Sequence, residues 1–217
     1  MAGPMSEQPL HSLILAADYR VDDVDTMWTQ LKSRQSHLQD IAAHHVVVYS
    51  SLWEPGRVLV TVGIHNPHSV REVMRSPAIF ELFDASGVDD IPAIFAGEVV
   101  EKIELFAEEP DDVAAVIVGL ITTVPDVAGL MDKVHDAADR FREAGVRKVW
   151  VYRAFDDTHE VMILQKLESE AAARHWIDHS DAAAEWMAQA GFGAYPKVFV
   201  GTVDHIYTVD ASGRRGD

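Results

Sequence analysis

The chain contains its own sequence twice, and this limits its architecture more than any other feature. Slid along itself by 104 positions, Ser76–Leu105 overlies Ser180–Val209 without a gap, and eight of those 30 columns are identical. They include Ser76/Ser180, Gly87/Gly191, Pro92/Pro196, Phe95/Phe199 and Gly97/Gly201. Ordinary residue usage gives roughly two identities in such a window. An offset of 103 aligns the earlier part of each copy, so one residue of slip separates the halves. A period this long matches a whole small domain rather than a solenoid unit. The chain is a fused pair, and a site is expected where the two copies meet.

The earlier alignment preserves core positions. Val24, Met27, Trp28, Leu31, Leu38 and Ile41 map onto Val127, Leu130, Met131, Val134, Phe141 and Ala144. Spacings of three and four put each set on one face of an amphipathic helix. Each copy then reads in the same order. The first has a strand at His11–Ala17, a helix at Asp23–Ala42, a strand at Val46–Tyr49 and a turn at Glu54-Pro55-Gly56. A strand at Val58–Ile64 follows, then a helix at His68–Ala85 broken at Ser76-Pro77, and a last strand at Ile94–Leu105. The second has a strand at Val116–Thr122, a helix at Asp126–Ala144 and a hairpin of Val149–Phe155 with Val161–Gln165. A broken helix at Glu170–Ala190 and a strand at Val198–Val209 complete it. The acidic stretch Ala107–Asp112 reads as a linker. Two domains are expected, residues 9–107 and 113–210, each an α+β ferredoxin-like β-α-β-β-α-β unit.

Such a unit leaves one sheet face bare. The strands are apolar on both faces, Val46 and Val48 as much as Val47 and Tyr49, and Val149 and Val151 as much as Trp150 and Tyr152. Both faces are therefore expected to be buried. The economical solution packs the two units sheet to sheet as a barrel with the helices outside, and its interior is the default pocket.

The stretches "NPHSVREVMRSPAIFELFDASGVDDIPAIFAGEVV" and "LESEAAARHWIDHSDAAAEWMAQAGFGAYPKVFVGTV" each have a helix broken at Ser, a small-residue–Gly pair, then Pro before a last strand. With this order of elements, the chain resembles the dimeric α/β-barrel superfamily in its antibiotic-biosynthesis-monooxygenase-like branch, as a tandem fusion. The resemblance covers nearly the whole chain, once per copy. It implies an intramolecular dimeric α/β barrel, and a range of activities that includes cofactor-free monooxygenases of aromatic substrates, cyclases and haem-degrading enzymes. The haem-degrading pattern of Trp, His and Asn is not met. Trp176 falls at the Trp position, but Glu185 or Trp186 falls at the His position, and Val116–Thr122 has no Asn.

Composition removes several classes. A net charge of −17 argues against nucleic acid and anionic membranes. With no cysteine, disulfides and thiolate chemistry are excluded. The longest near-apolar stretch, Ala114–Pro125, is about half of a bilayer span. The first residues lack a basic segment and long apolar run, so a soluble cytoplasmic protein is expected. No nucleophile elbow, phosphate-binding Gly loop, dinucleotide fingerprint or HExxH occurs.

Candidate site residues come from the interior-facing strand positions. Tyr49 and Tyr152 occupy equivalent columns, and a buried phenol can orient a ligand oxygen or donate a proton. The alternative is a core tyrosine with a satisfied hydroxyl. His45 shares the strand face of Tyr49, and Lys148 is its counterpart. Trp150 replaces Val47 of the other copy, which would leave the roomier pocket in the first half. His205 lies mid-strand at the column of Glu101. The catalytic candidates are Tyr49, His45 and Tyr152, and the substrate-binding candidates are Trp150 and His205. His175 and His179 have metal-chelating spacing, but their counterparts are Arg71 and Arg75, so a solvated helix face is the reading and no metal is expected. Trp28, Trp176 and Trp186 are read as helix packing. No cofactor is expected. The expected partner is a small apolar or aromatic molecule, and the expected assembly is a monomer acting as an internal pseudo-dimer, with higher assembly open. Enzyme and non-catalytic binding protein both remain open.

Overall fold

A computed structural model describes residues 12–65, 73–77, 92–106, 115–178, 188 and 197–209. The first half contributes β1 (Ser12–Arg20), α1 (Val24–Ser33), α2 (Gln35–Asp40), β2 (Ala43–Ser51), β3 (Arg57–His65) and β4 (Ile94–Glu104). The second contributes β5 (Val116–Thr123), α3 (Val127–Asp136), α4 (Ala138–Glu143), β6 (Val146–Ala154), β7 (Glu160–Leu167), α5 (Glu170–Asp178) and β8 (Phe199–Thr208). Residues 73–77 include a helical turn interrupted at Ser76, as the Ser-Pro signal predicts. The repeat columns at Gly87, Ser180 and Gly191, and also His68, His179 and Trp186, lie outside the described residues.

The long first helix expected in each half is two helices, broken at Arg34 and at Ala137, which are the same repeat column. The start is a matched pair as well. The carboxylate of Asp23 accepts from the Thr26 N–H at 2.9 Å, and that of Asp126 from the Gly129 N–H at 2.7 Å, satisfying donors a helix start leaves open. The two ends differ in residue type but not in shape. Gly145 adopts φ +80°, while Ala42 at the equivalent column is held at φ +57°, where a Cβ is unfavourable.

All eight strands close into one barrel in the order β1-β3-β2-β8-β5-β7-β6-β4. Each half supplies a four-stranded run, and the halves join where β2 pairs with β8 and β4 with β6. The expected sheet-to-sheet packing is thus accompanied by hydrogen bonding along both edges, which leaves no open sheet edge. Every neighbour in the ring is antiparallel. β1 and β5 therefore run the same way, and the pseudo-two-fold lies along the barrel axis.

The seams explain why Phe and Gly recur at the same columns of the last strand in each half. A Cβ on Gly97 would lie 2.5 Å from the Phe95 ring and 2.6 Å from the Arg153 carbonyl oxygen. A Cβ on Gly201 would lie 2.6 Å from the Phe199 ring and 2.4 Å from the Ser50 carbonyl oxygen. In both halves Phe-x-Gly folds a ring over a glycine at the point where the other half's backbone crosses.

Apolar residues sort into three clusters. Met27, Trp28, Leu31, Leu38 and Ile41 pack with Val46 and Val48 beneath the first half's helices. Leu130, Met131, Val134, Phe141 and Trp176 pack with Val149 and Val151 beneath the second half's. The third cluster fills the barrel and draws on both halves, with Ile14, Leu59 and Phe95 beside Ile117, Met162, Leu164 and Phe199. Val46, Val48, Val149 and Val151 are fully buried on the helix side, and Tyr49, Trp150 and Tyr152 turn inward, so both sheet faces are covered as expected. Each fully buried large side chain contributes about 1.5–3 kcal/mol relative to exposure.

Candidate functional site

Strand alternation decides what reaches the interior, because successive side chains point to opposite faces. On β1 and β3 the inward set includes Ile14, Ala16 and Leu59, and on β5 and β7 it includes Ile117, Met162 and Leu164. At the end of the barrel where β1 and β5 finish, these walls leave a cavity of about 150 Å³. Leu59, Ile121, Met162, Leu164 and Phe199 line it, with Gly119 forming part of the wall and Asp18 and Lys197 supplying its charged groups. Lining residues come from both halves, but most belong to β5, β7 and β8. The roomier side is thus the second half and not the first. Gly119 stands where the first half has Ala16, and a Cβ there would lie 3.0 Å from Leu164 and 3.4 Å from Leu59. Trp150 is not among the lining residues, so its bulk takes nothing from the space beside Gly119.

One wall is fixed by a buried guanidinium. Arg57, 3% exposed, donates from Nε to Asp18 Oδ1 at 2.8 Å and from Nη2 to Asp18 Oδ2 at 2.5 Å. Its Nη1 also donates to Glu54 and, at 3.2 Å, to the Val198 carbonyl. Its face lies 5.4 Å from the Phe199 ring centroid. Arg20 donates to the other oxygen of Glu54. A buried cation needs such partners, and the planar fork suits two carboxylates. The Asp18 hydrogen bond is the main cause raising the Arg57 pKa, against burial. The quartet ties β1, β3 and the turn between β2 and β3 to the start of β8.

Tyr49 and Tyr152 stand on β2 and β6, paired with Leu59 and Met162 of the cavity wall. Both belong to the interior cluster, and each lies within electrostatic reach of the other. Burial pushes the Tyr49 phenol up to about 12, partly offset by a hydrogen bond from Thr61. Tyr152 is raised further, first by burial and then by Tyr49. Its counterpart of Thr61 is Leu164, which offers no hydroxyl. Both are neutral phenols at neutral pH, with a proton available for donation.

The other candidates are dispersed. Trp150 is a half-buried member of the interior cluster, one inward position from Tyr152. His45 faces inward at the opposite end of β2, paired with Gly63, with its Nδ1 2.6 Å from Nδ1 of His44. It is four residues from Tyr49, roughly 13 Å along a strand, and does not join the cavity. His205 requires a correction. A register shift in the β2–β8 pairing turns it to the helix side, where it stacks on Trp28 with ring centroids 4.7 Å apart and has Nε2 3.4 Å from Asp25. The sheet separates it from the interior. Trp28 and Trp176 are packing residues as expected, and the Trp176 indole donates to Gln165 at 3.0 Å. Asp18, Arg57, Thr61 and Lys197 escaped the sequence reading. A signal for Asp18 exists, because it is the one charge at an inward position of "LILAAD", where the other copy has Ile121. Among the described residues no group of three or more His, Asp or Glu could hold a metal ion. None of the described helices is long and apolar enough to cross a membrane.

No family model and no curated protein sequence matches the chain. Solved structures do. An anthrone oxidase-like protein superposes with a TM-score of 0.68 at 13% identity, covering 97% of each chain. A candidate monooxygenase of Fusobacterium nucleatum gives 0.57 at 9% identity, covering 93% of this chain and 96% of its own. A ferredoxin fold protein of Listeria monocytogenes, related to antibiotic biosynthesis monooxygenases, gives 0.52 at 9% identity over 90% and 97%. Likeness over whole chains at such low identity is a likeness of fold. The chain has the dimeric α/β-barrel fold of these monooxygenase-like proteins, built from two ferredoxin-like halves in one polypeptide.

Proposed function

We propose that the chain is a monooxygenase-class enzyme that holds a small, mostly apolar aromatic substrate at the Asp18 end of the barrel and oxidises it without a resident cofactor. The observation that carries this reading is the apolar-walled cavity at the end of the barrel where β1 and β5 finish, backed by two phenols of the interior cluster. A cavity of about 150 Å³ accommodates one aromatic ring, and a larger substrate would extend past Lys197 into the mouth. An activated CH2 carbon that becomes C=O gives up two hydrogens and takes one atom of O2, while the other atom leaves as water. The protein's part is positioning. In this reading Tyr49 and Tyr152, protonated at neutral pH and packed behind the cavity wall, donate to an oxygen that gains charge during oxidation.

A second reading is that the barrel binds such a molecule without transforming it. It is favoured by the acid–base groups nearest the cavity. Both phenols stay protonated, and the Asp18 carboxylate is engaged by Arg57. One experiment separates the two. Purified protein is mixed with anthrone in an oxygen electrode. The enzyme reading expects O2 uptake above the protein-free rate, equal to the anthrone consumed, and a loss on the order of tenfold or more in Tyr152→Phe. Binding of anthrone with no uptake above that rate would leave the binding reading.

A further inference from the structure

We infer that the cavity selects a ring carrying an anionic substituent, with Lys197 as the residue that reads the charge. This rests on the proposed use of the cavity and adds the chemical class of its ligand. The four charged groups of the wall cancel one another, since Arg57 engages Asp18 and Glu54, and Glu54 also takes Arg20. With Asp18 neutralised by a two-point contact, Lys197 is the remaining charge on the lining, and the rest of that lining is apolar. Among the described residues none forms an ion pair with Lys197. An ammonium with three donors at the rim of a one-ring apolar cavity matches a ring whose carboxylate or ionised hydroxyl stays at the mouth.

Two features oppose anions. The chain carries a net charge of −17, and Glu160 lies one inward position beyond Met162 on β7, beside Asp156 and Asp157. At physiological salt the distant part of the net charge is largely screened, and none of these three acids lines the cavity, whereas Lys197 does. Contact with Lys197 outweighs them for a ligand seated in the cavity.

The test compares benzoate, benzamide and benzylamine by calorimetry on the full chain, in wild type, Lys197→Gln and Ile121→Trp. Lys197 is exposed, so its replacement leaves the fold intact. Ile121→Trp fills the mouth from a half-buried position. Benzoate is expected to bind about fivefold more tightly than benzamide, the scale of a partly exposed ion pair, with benzylamine weakest. Lys197→Gln is expected to erase the benzoate advantage, as is raised salt. Equal binding of benzoate and benzamide, tightest binding by benzylamine, or a preference that survives Lys197→Gln would overturn the assignment. If all three rings bind alike and Ile121→Trp abolishes binding, the cavity stands and the charge selection fails. If no ring binds, or Ile121→Trp changes nothing, the cavity reading itself fails and takes the charge selection with it.

Discussion

At the cavity end of the barrel the two halves use one backbone to opposite electrostatic effect. The first half has Arg57 held between Asp18 and Glu54. The equivalent columns of the second half carry Glu160, Ile121 and Asp157, so the cation is gone and carboxylates face one another. The Glu160 pKa is raised by burial and then by Asp156 and Asp157. A homodimeric barrel would have to repeat whichever arrangement it adopted. Fusion releases that constraint, so one half can keep a closed ionic wall while the other gives up its partners and leaves the cavity beside Gly119.

This contrast can be broken experimentally, and the largest effect is expected at Arg57. Arg57→Met removes the shared partner of Asp18 and Glu54 and should cost about 2–3 kcal/mol in urea unfolding, less than a fully buried pair because both carboxylates reach solvent. A loss below about 1 kcal/mol would mean that the quartet is not the structural wall described here.

The helix ends provide the next comparison. Gly145→Ala forces a Cβ into φ +80° and to within 3.2 Å of Ala172 and Glu168, and about 1–2 kcal/mol of stability should be lost. Ala42→Gly should gain roughly 0.5–1 kcal/mol by relieving the same conformation. Effects of the same sign at both sites would show that the two ends are not equivalent.

Thr61→Val tests the phenol that has a hydroxyl partner against the one that does not. It should cost about 1 kcal/mol and move the Tyr49 titration further upward, because Thr61 holds that pKa down. A folded-state phenol pKa above the unfolded value contributes stability that is complete below pH 10 and is lost as pH rises through about 12. Ultraviolet titration of the native protein near pH 11 should therefore leave Tyr49 and Tyr152 un-ionised.

The smallest effect is expected at Glu160. Its raised pKa means that folding favours the protonated form, so its cost is absent well below the ordinary glutamate range and grows as pH rises through the folded value. Glu160→Gln should raise the melting temperature slightly at pH 7 and leave it unchanged at pH 3. The reverse order would contradict the like-charge account.

The fold was legible because burial writes a pattern. Valines on both faces of β2 and β6, and a helical stripe repeated at one offset, specify a covered sheet and its helices wherever they occur. The helix breaks at Arg34 and Ala137 were not legible, since the apolar stripe continues across both. The candidate site was legible only in part. Tyr49, Tyr152 and Trp150 follow from strand alternation, but the register shift in the β2–β8 pairing reverses that alternation for His205, and no local sequence signal announces it. Arg57 reads as a turn-flanking surface residue until Asp18 and Glu54 are brought to it from sequence-distant and neighbouring positions. The wall opened by Gly119 depends on volumes across the barrel rather than on any pattern along the chain.

The central claim is that the ligand lies inside the ring of strands, between the halves. Methionine methyl NMR with anthrone addresses it directly, because Met162 lines the cavity while Met27 and Met131 pack beneath the helices outside the sheet. A saturable shift at Met162, with Met27 and Met131 unmoved, is the result this account predicts. Shifts at Met27 or Met131 with Met162 silent would put the ligand under the helices and contradict it.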